Sequence, residues 1–312
     1  MKKIALAILF SALYSLPVMA QQIPRFNPDT LLTVTIDSAI NITAKRLSAE
    51  TFIDEILRDT SFYEAFRNMK KYTFTAENQL YTYNKHNKVE AKLYRKLLHT
   101  VSPGADRVKV LAQRDSGKIY KKNGKYQLYT VEMFDYIFMN AYKSAYSASA
   151  ESPVGGGTNQ SYKQKLKTLL FSPGRPVKGI PFISDKTEIF TANMRQYYDY
   201  NFYSGTYLDS IPVYRFKVTQ KTDLSNWTKS GIMIKELTTI FDKRNMQILG
   251  RYVDMKYSNM LFDFDVQMNI ELGYFIDGET LLPVKISYQG NWNVPLKKEE
   301  RVSFLIQQGG YR

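Results

Sequence analysis

The sequence predicts an α+β protein that is mostly β, with a curved antiparallel sheet (an incomplete barrel) packed against a few helices. Apolar and polar residues alternate along most of the second half of the chain, which is the pattern of strands with one covered face. One amphipathic helix precedes the strands and can cover part of that face. The 312 residues include no cysteine, and a chain of this length can bury a sizeable core without disulfides.

The first 20 residues have the three parts of an export signal. Lys2 and Lys3 form a positive start, Ile4 to Val18 is an apolar run, and Val18-Met19-Ala20 offers the small residues of a cleavage site. The run is shorter than the roughly 20 apolar residues that a membrane-spanning helix needs. We expect cleavage after Ala20 and a soluble periplasmic protein. No cysteine follows the site, so a lipoprotein is not expected.

The mature chain is predicted to begin with an extended lead-in, Gln21 to Thr43, with weak alternation at Leu32, Val34 and Ile36, and a helix follows it. Ser48 is a suitable N-cap, and acidic residues in the first turns suit the positive end of the helix dipole. Apolar residues then recur at helical spacing to about Met69: Phe52, Ile53, Ile56, Leu57, Tyr63 and Phe66. The sequence therefore predicts one helix over 48–69.

After this helix, apolar and polar residues alternate with a period of two, which is typical of β-strands. The segment Tyr72 to Tyr83 is rich in strand formers, and the sequence from Val89 is the returning strand of a hairpin. Arg107 to Arg114 is predicted as a third strand with Val108, Val110 and Ala112 on one face. Asn123-Gly124 signals a further hairpin, and Val131 to Tyr142 is predicted as a second helix.

A long insertion at about 141–200 interrupts the strand pattern. Gly155-Gly156-Gly157 lies in a Ser- and Ala-rich stretch that is typical of a flexible loop, and no GK[ST] follows to make it a phosphate loop. Tyr162 to Phe171 is predicted as a short basic helix. We interpret residues 21–312 as a single β-rich domain that carries this helical and loop insertion.

From Ile211 onward the chain is predicted to be an antiparallel β-meander. The clearest strand runs from Phe262 to Leu272, with apolar residues on one parity and Asp263, Asp265, Gln267, Asn269 and Glu271 on the other. We expect the apolar parity to point to the inner face of the sheet and the polar parity to face solvent. The candidate ligand-contacting residues on the inner face are Phe74, Leu80, Tyr214, Phe216, Phe262, Phe264, Val266, Val284 and Ile286.

The sequence offers little material for catalysis or cofactor binding. The absence of cysteine excludes thiol chemistry, and the two histidines, His86 in a turn and His99 in a strand, lack the spacing of metal ligands. Asp263 and Asp265 lie about 7 Å apart on one strand face, as a glycosidase carboxylate pair can. The polar face of an amphipathic strand predicts the same residues. We expect no metal, no cofactor and a non-enzymatic role.

The formal net charge is +14. Its basic clusters include Lys92/Arg95/Lys96 and the lysines at 118, 121, 122, 125, 163, 165 and 167. Nucleic acid is not an expected partner of an exported protein. Two interpretations stay open: a generic solvated surface, or an interface with an anionic membrane surface, a polyanionic glycan or an envelope protein.

The order of elements resembles the outer-membrane lipoprotein carrier (LolA/LolB-like) superfamily, as a divergent exported protein of Bacteroidota type. The resemblance is carried by the helix ending Phe66-Arg-Asn-Met69, the hairpin region Gly117 to Tyr126, the segment Asp209 to Val218, and a meander with Asp277-Gly278-Glu279 and Leu282-Pro-Val-Lys285. The resemblance implies an incomplete barrel closed by helices, whose apolar concave face shelters acyl chains or other hydrophobic ligands.

Three functions are compatible with these patterns. The first is a periplasmic carrier or chaperone-like protein that binds a hydrophobic or lipidic ligand on the concave sheet face. The second is an envelope assembly or interaction protein without a ligand cavity. The third is an envelope-glycan hydrolase, which depends on the Asp263/Asp265 pair alone.

Overall fold

Eleven antiparallel strands form one open sheet in the computed structural model, which describes residues 34–39, 48–101, 107–144, 146, 162–175, 184–258, 263–293 and 298–312. The strands are β1 (Val34–Ala39), β2 (Phe74–Tyr83), β3 (Val89–His99), β4 (Val108–Ser116), β5 (Tyr198–Tyr207), β6 (Ile211–Gln220), β7 (Ile234–Asp242), β8 (Ile248–Ser258), β9 (Asp263–Tyr274), β10 (Leu281–Asn293) and β11 (Glu300–Gly309). The sheet order is β1-β5-β6-β7-β8-β9-β10-β11-β2-β3-β4. The predicted fold class, mostly β with an antiparallel sheet and a few helices, is confirmed.

The sheet curls strongly from one edge toward its centre. The hydroxyl of Tyr207 in β5 lies 2.7 Å from the carbonyl oxygen of Leu272 in β9 and 3.4 Å from that of Leu249 in β8. In a flat sheet β5 and β9 would lie about 19 Å apart, four strand spacings, which is beyond the reach of a tyrosine. The contact is therefore possible because the sheet bends.

Six α-helices accompany the sheet in the described ranges: α1 (Ala49–Arg58), α2 (Ser61–Asn68), α3 (Tyr129–Phe134), α4 (Tyr162–Phe171), α5 (Ala192–Arg195) and α6 (Asn226–Gly231). A 3₁₀ turn, Met69–Lys71, follows α2, and a π-helical turn, Asp135–Met139, follows α3. None of these helices is both long enough and apolar enough to cross a membrane.

The predicted helix over 48–69 is two helices. Ser48 caps the first as expected, since the Thr51 backbone N–H donates to its hydroxyl oxygen at 3.3 Å. The break comes at Asp59, which has extended backbone angles (φ −57°, ψ 133°) and accepts from the Ser61 backbone N–H at 2.9 Å. A carboxylate at this position satisfies one of the free N–H groups at the start of α2.

The inner face is the face of the sheet that packs against α1, α2 and α3. One cross-strand row on this face can be followed through the pairing register from β6 to β3: Phe216, Thr239, Arg251, Ile270, Ile286, Ile306, Asn78 and Arg95. Phe52 of α1 packs on Phe216 with ring centroids 5.4 Å apart, and Phe134 of α3 packs on Phe304 at 4.5 Å. The inner face is thus mostly apolar. In addition to the hydroxyl of Thr239, this row contains three polar side chains, those of Arg251, Asn78 and Arg95.

The opposite face corrects a sequence expectation. Gln267, Asn269 and Glu271 point away from the inner face, as the alternation predicts, but they are buried and not solvent-facing. Glu271 is paired: Lys285 lies 2.8 Å from its carboxylate, and the Asn269 amide nitrogen donates to it at 2.7 Å. Burial is tolerated because the charge is paired. Alternation therefore predicted the direction of these side chains, but not their exposure.

Three further segments differ from their sequence-based predictions. Strand β5 begins inside the predicted insertion, at Tyr198, and continues to Tyr207, a segment where no strand was expected. The second helix begins at Tyr129 and changes to a π turn at Asp135. Strand β4 is confirmed, but it forms a sheet edge, so Val110 and most of its other residues are exposed and its predicted apolar face is not covered.

Candidate functional site

Most of the predicted ligand-contacting residues are buried. Phe74, Leu80, Phe216, Phe264, Val266 and Ile286 are each at most 1% exposed. Tyr214 and Val284 are half-buried, and Val284 lies at a bulge in β10. Phe262 lies outside the described residues. The buried members are distributed over β6, β9, β10 and β2, of which only β9 and β10 are neighbours, so they form parts of one long apolar surface and not one compact cluster.

Aromatic side chains of the helices cover this surface. Phe52 contacts the rings of Phe202, Tyr214, Phe216 and Phe241 with centroids 5.1–5.8 Å apart. Farther along the sheet the helical layer is held together by its own rings: Phe62, Tyr63, Phe66, Phe138, Tyr146 and Phe171. Much of the contact between the helical layer and the inner face is therefore made by aromatic rings, whose apolar contacts an acyl chain could replace.

A buried ion pair ties the helical layer to the sheet. Arg251 of β8 is 2% exposed, and its guanidinium lies 3.5 Å from the carboxylate of Asp59, between α1 and α2. It also donates to the carbonyl oxygen of Phe171 at 2.7 Å and lies over the ring of Phe62. Burial raises the pKa of Asp59 and lowers the pKa of Arg251, against the attraction of each for the other.

A second polar cluster links β3 to the π turn. Arg95 donates to the hydroxyl oxygens of Tyr120 at 2.7 Å and Tyr126 at 3.0 Å, and Tyr126 donates to the carboxylate of Asp135 at 2.8 Å. Arg95 also lies 3.4 Å from Asp135, and Lys143 forms a close ion pair with the other oxygen of that carboxylate. Burial beside Asp135 raises the pKa of Tyr126. The charge of Arg95 is thus compensated where it enters the inner face.

Two buried amides lie on the inner face next to this cluster. Asn78 of β2 is paired in register with Arg95 of β3 on one side and with Ile306 of β11 on the other. Neither side-chain atom of Asn78, which is 1% exposed, hydrogen bonds to any described residue, and the same holds for Gln308 Oε1 and Arg95 Nε. The Gln308 amide nitrogen points to the sulfur of Met69 at 3.8 Å. We call Asn78 and Gln308 the buried amides.

His99 lies at the end of the same surface. Its ring stacks on Phe74 with centroids 4.4 Å apart and planes 6° from parallel, and the ring of Tyr142 closes over it at 6.2 Å. Both ring nitrogens lack a hydrogen-bond partner among the described residues. Burial lowers the pKa of His99 to about 4. The expected half-buried strand histidine is therefore a fully buried one, held neutral by its apolar surroundings.

We expect His99→Phe to remove an acid-sensitive part of the stability. The pKa of His99 is depressed from 6.5 to about 4, so between these values the unfolded chain binds a proton that the folded protein does not. The contribution of neutral His99 to the free energy of unfolding is therefore complete above pH 6.5. It is lost as the pH falls toward 4, by up to about 3 kcal/mol. The measurement is urea unfolding of the wild type and the variant at pH 7 and pH 4.5. If the difference in free energy of unfolding between the two proteins is the same at both pH values, the prediction is wrong.

The sequence analysis did not identify the polar residues of the inner face, although the pattern of alternation contains the information needed to find them. Asn78 lies on the same parity of β2 as Phe74, Ala76 and Leu80, so the alternation places it on the apolar face. Arg251 likewise lies at a position of β8 where the strand pattern predicts an apolar side chain, because this strand is mostly buried on both faces. Such residues are identified by a polar side chain among the alternate positions of a strand that are otherwise apolar. They are not identified by a sequence motif.

The candidate site is therefore the inner face of β11, β2 and β3 beneath the helical layer, with the buried amides at its centre. Among the described residues no group of three or more histidine, aspartate or glutamate side chains has the arrangement of a metal site. Comparison of the chain with protein-family models, with curated proteins and with solved structures finds no match.

Proposed function

We propose that this protein is a non-enzymatic carrier or chaperone-like protein of the periplasm, which holds a hydrophobic or lipidic ligand between the inner face of its sheet and the helical layer. The observation that carries the proposal is the pair of buried amides on a mostly apolar surface. The export signal expected at residues 1–20 supports a location in the cell envelope.

The buried amides are costly if their only role is structural. A buried polar group without a partner destabilises a fold by about 1–3 kcal/mol, whereas leucine at the position of Asn78 would have no such cost. A ligand that enters the apolar layer and hydrogen bonds to Asn78 and Gln308 would recover that free energy. Retained polar groups of this kind are typical of ligand pockets that are mostly apolar.

The helical layer is built in a way that permits a ligand to enter. Helices α1, α2, α3 and α4 have at most ten residues each and come from three separate regions of the chain. Helices this short are marginal without tertiary contacts. Their positions therefore depend on ring contacts with the sheet and with each other, which an acyl chain can replace.

The basic surface supports an anionic partner. The net charge of +14 favours association with an anionic membrane surface or an acidic envelope protein, from which a carrier would collect its ligand or to which it would deliver it. The lysines of the turn between 117 and 125 are exposed and face no described carboxylate in an ion pair.

One observation favours the second candidate, an envelope assembly or interaction protein. Strand β4 is a sheet edge with exposed Val110 and Leu111, and such an edge can pair with a strand of another protein. The hydrolase alternative has less support, because the carboxylate of Asp265 lies 3.0 Å from Lys256 and is engaged in an ion pair.

We expect Phe264→Asp to abolish binding of the neutral apolar fluorophore N-phenyl-1-naphthylamine and to destabilise the fold. Phe264 is 1% exposed and stacks on Trp292 at 5.0 Å, so the change places a carboxylate in an apolar layer. The matched control is Asp265→Asn, the next residue on the opposite face. It should bind the fluorophore as the wild type does.

The measurement is a fluorescence titration with thermal melting of each variant. A wild-type melting curve for Phe264→Asp would contradict the inward placement of this side chain. Loss of activity on envelope glycans in Asp265→Asn, with binding of the fluorophore unchanged, would favour the hydrolase. Failure of the wild-type protein to bind the fluorophore would contradict the carrier proposal.

A further inference from the structure

Of the buried amides, Asn78 lies midway along its strand, whereas Gln308 is the ninth of the ten residues of β11. Asn78 is the fifth residue of the ten in β2, and its neighbours on the same face of the strand are Ala76 and Leu80, both buried and apolar. Phe74 continues the apolar surface beyond Ala76. A ligand lying along β2 would therefore meet apolar side chains on both sides of the polar position, about 7 Å away in each direction.

The unpartnered atoms include both donors and acceptors. The donors are Asn78 Nδ2 and Arg95 Nε, and the acceptors are Asn78 Oδ1 and Gln308 Oε1, none with a partner in the described ranges. Exchanging the oxygen and nitrogen of Asn78 leaves one donor and one acceptor at the same place. The complementary group must therefore both donate and accept a hydrogen bond.

That group is also expected to be neutral. Asn78 and Gln308 carry no charge, and the guanidinium of Arg95 is already engaged by Asp135 at 3.4 Å and by the hydroxyls of Tyr120 and Tyr126. The second cation on that carboxylate, Lys143, is half-exposed and reaches solvent. An ionised group buried beside the amides would lose its hydration, which is costly in an apolar layer. The smallest neutral group that both donates and accepts is a hydroxyl, and the small side chain of Ala76 lies next to the position where it would bind.

We propose that the buried amides bind a hydroxyl group in the middle of an acyl chain, so that the ligand class is a hydroxylated fatty acid or acyl lipid. The proposal rests on the carrier function proposed above. The hydroxyl donates to Asn78 Oδ1 or Gln308 Oε1 and accepts from Asn78 Nδ2 or Arg95 Nε. The apolar parts of the chain on either side contact Phe74 and Leu80.

The test compares three acids of equal length as competitors of N-phenyl-1-naphthylamine. 12-Hydroxyoctadecanoic acid can donate and accept at mid-chain, 12-oxooctadecanoic acid can only accept, and octadecanoic acid can do neither. For the wild-type protein we expect the hydroxy acid to bind about tenfold more tightly than octadecanoic acid, with the oxo acid between them. Equal binding of all three would overturn the proposal, because water alone would then satisfy the amides.

Two variants and one control complete the design. Asn78→Leu should raise the melting temperature and bring the hydroxy acid and octadecanoic acid within about twofold of each other. Gln308→Leu should reduce the preference and serves as a second test at another strand. Gln79→Leu makes the same kind of change on the opposite face of β2 and should keep the full preference.

The outcomes separate this proposal from the carrier function. A preference that persists in both Asn78→Leu and Gln308→Leu would overturn the hydroxyl subsite and leave the carrier function intact. Absence of fluorophore binding and of any acid binding by the wild type would overturn both.

Discussion

Asp59→Asn is expected to lower the free energy of unfolding by about 3–5 kcal/mol, which is typical of removing one partner of a buried ion pair. The change leaves the guanidinium of Arg251, 2% exposed, without its counter-charge. The carbonyl oxygen of Phe171 and the ring of Phe62 would remain as its contacts. The amide oxygen of asparagine can still accept from the Ser61 backbone N–H, so the variant tests the charge of Asp59 and not its cap on α2.

The control is the double variant Asp59→Asn/Arg251→Met, measured by urea unfolding beside both single variants. The raised pKa of Asp59 and the lowered pKa of Arg251 both indicate that burial opposes their charged forms. Removing both charges should therefore restore wild-type stability or exceed it. A double variant as unstable as the sum of the single variants would contradict the account of this pair.

Phe52→Ala is expected to destabilise the protein by about 3–5 kcal/mol, the usual cost of truncating a fully buried phenylalanine. Phe52 is fully buried and contacts four aromatic rings of β5, β6 and β7. The change removes the main contact of α1 with the inner face. The control is Ile276→Ala in the turn between β9 and β10, where the side chain is 90% exposed and little change is expected.

This variant also tests whether the helical layer gates the inner face. A weakened α1 should let N-phenyl-1-naphthylamine bind faster, which stopped-flow fluorescence measures. An unchanged association rate, with the stability lowered as expected, would show that α1 is structural and that entry occurs elsewhere along the layer.

Much of the fold could be predicted because its signals are local. The strict alternation along β9 identified an antiparallel strand, and Ser48 marked the start of the first helix, where its hydroxyl caps the backbone. The short helix predicted at Tyr162–Phe171 has the same bounds in the structure. Each of these follows from neighbouring residues in the chain.

The remaining features depend on contacts between distant residues. The break at Asp59 is associated with Arg251, 192 positions later, and the burial of Glu271 with Lys285 on the next strand. Strand β5 carries mixed polar residues and was not recognised, although it pairs along its whole length with β6. The partners of Asn78 in register come from β3 and β11, so the buried amides could be located only once the sheet order was known.

The most direct test of the carrier account is native mass spectrometry of the protein purified without detergent from its own cells. We expect a fraction of the molecules to carry the additional mass of one bound lipid, which organic extraction releases. The hydroxyl subsite predicts that the extracted acyl chain is hydroxylated and that Asn78→Leu, purified in the same way, carries less of it. Protein with only its bare mass, in a preparation that also fails to bind N-phenyl-1-naphthylamine, would contradict the account.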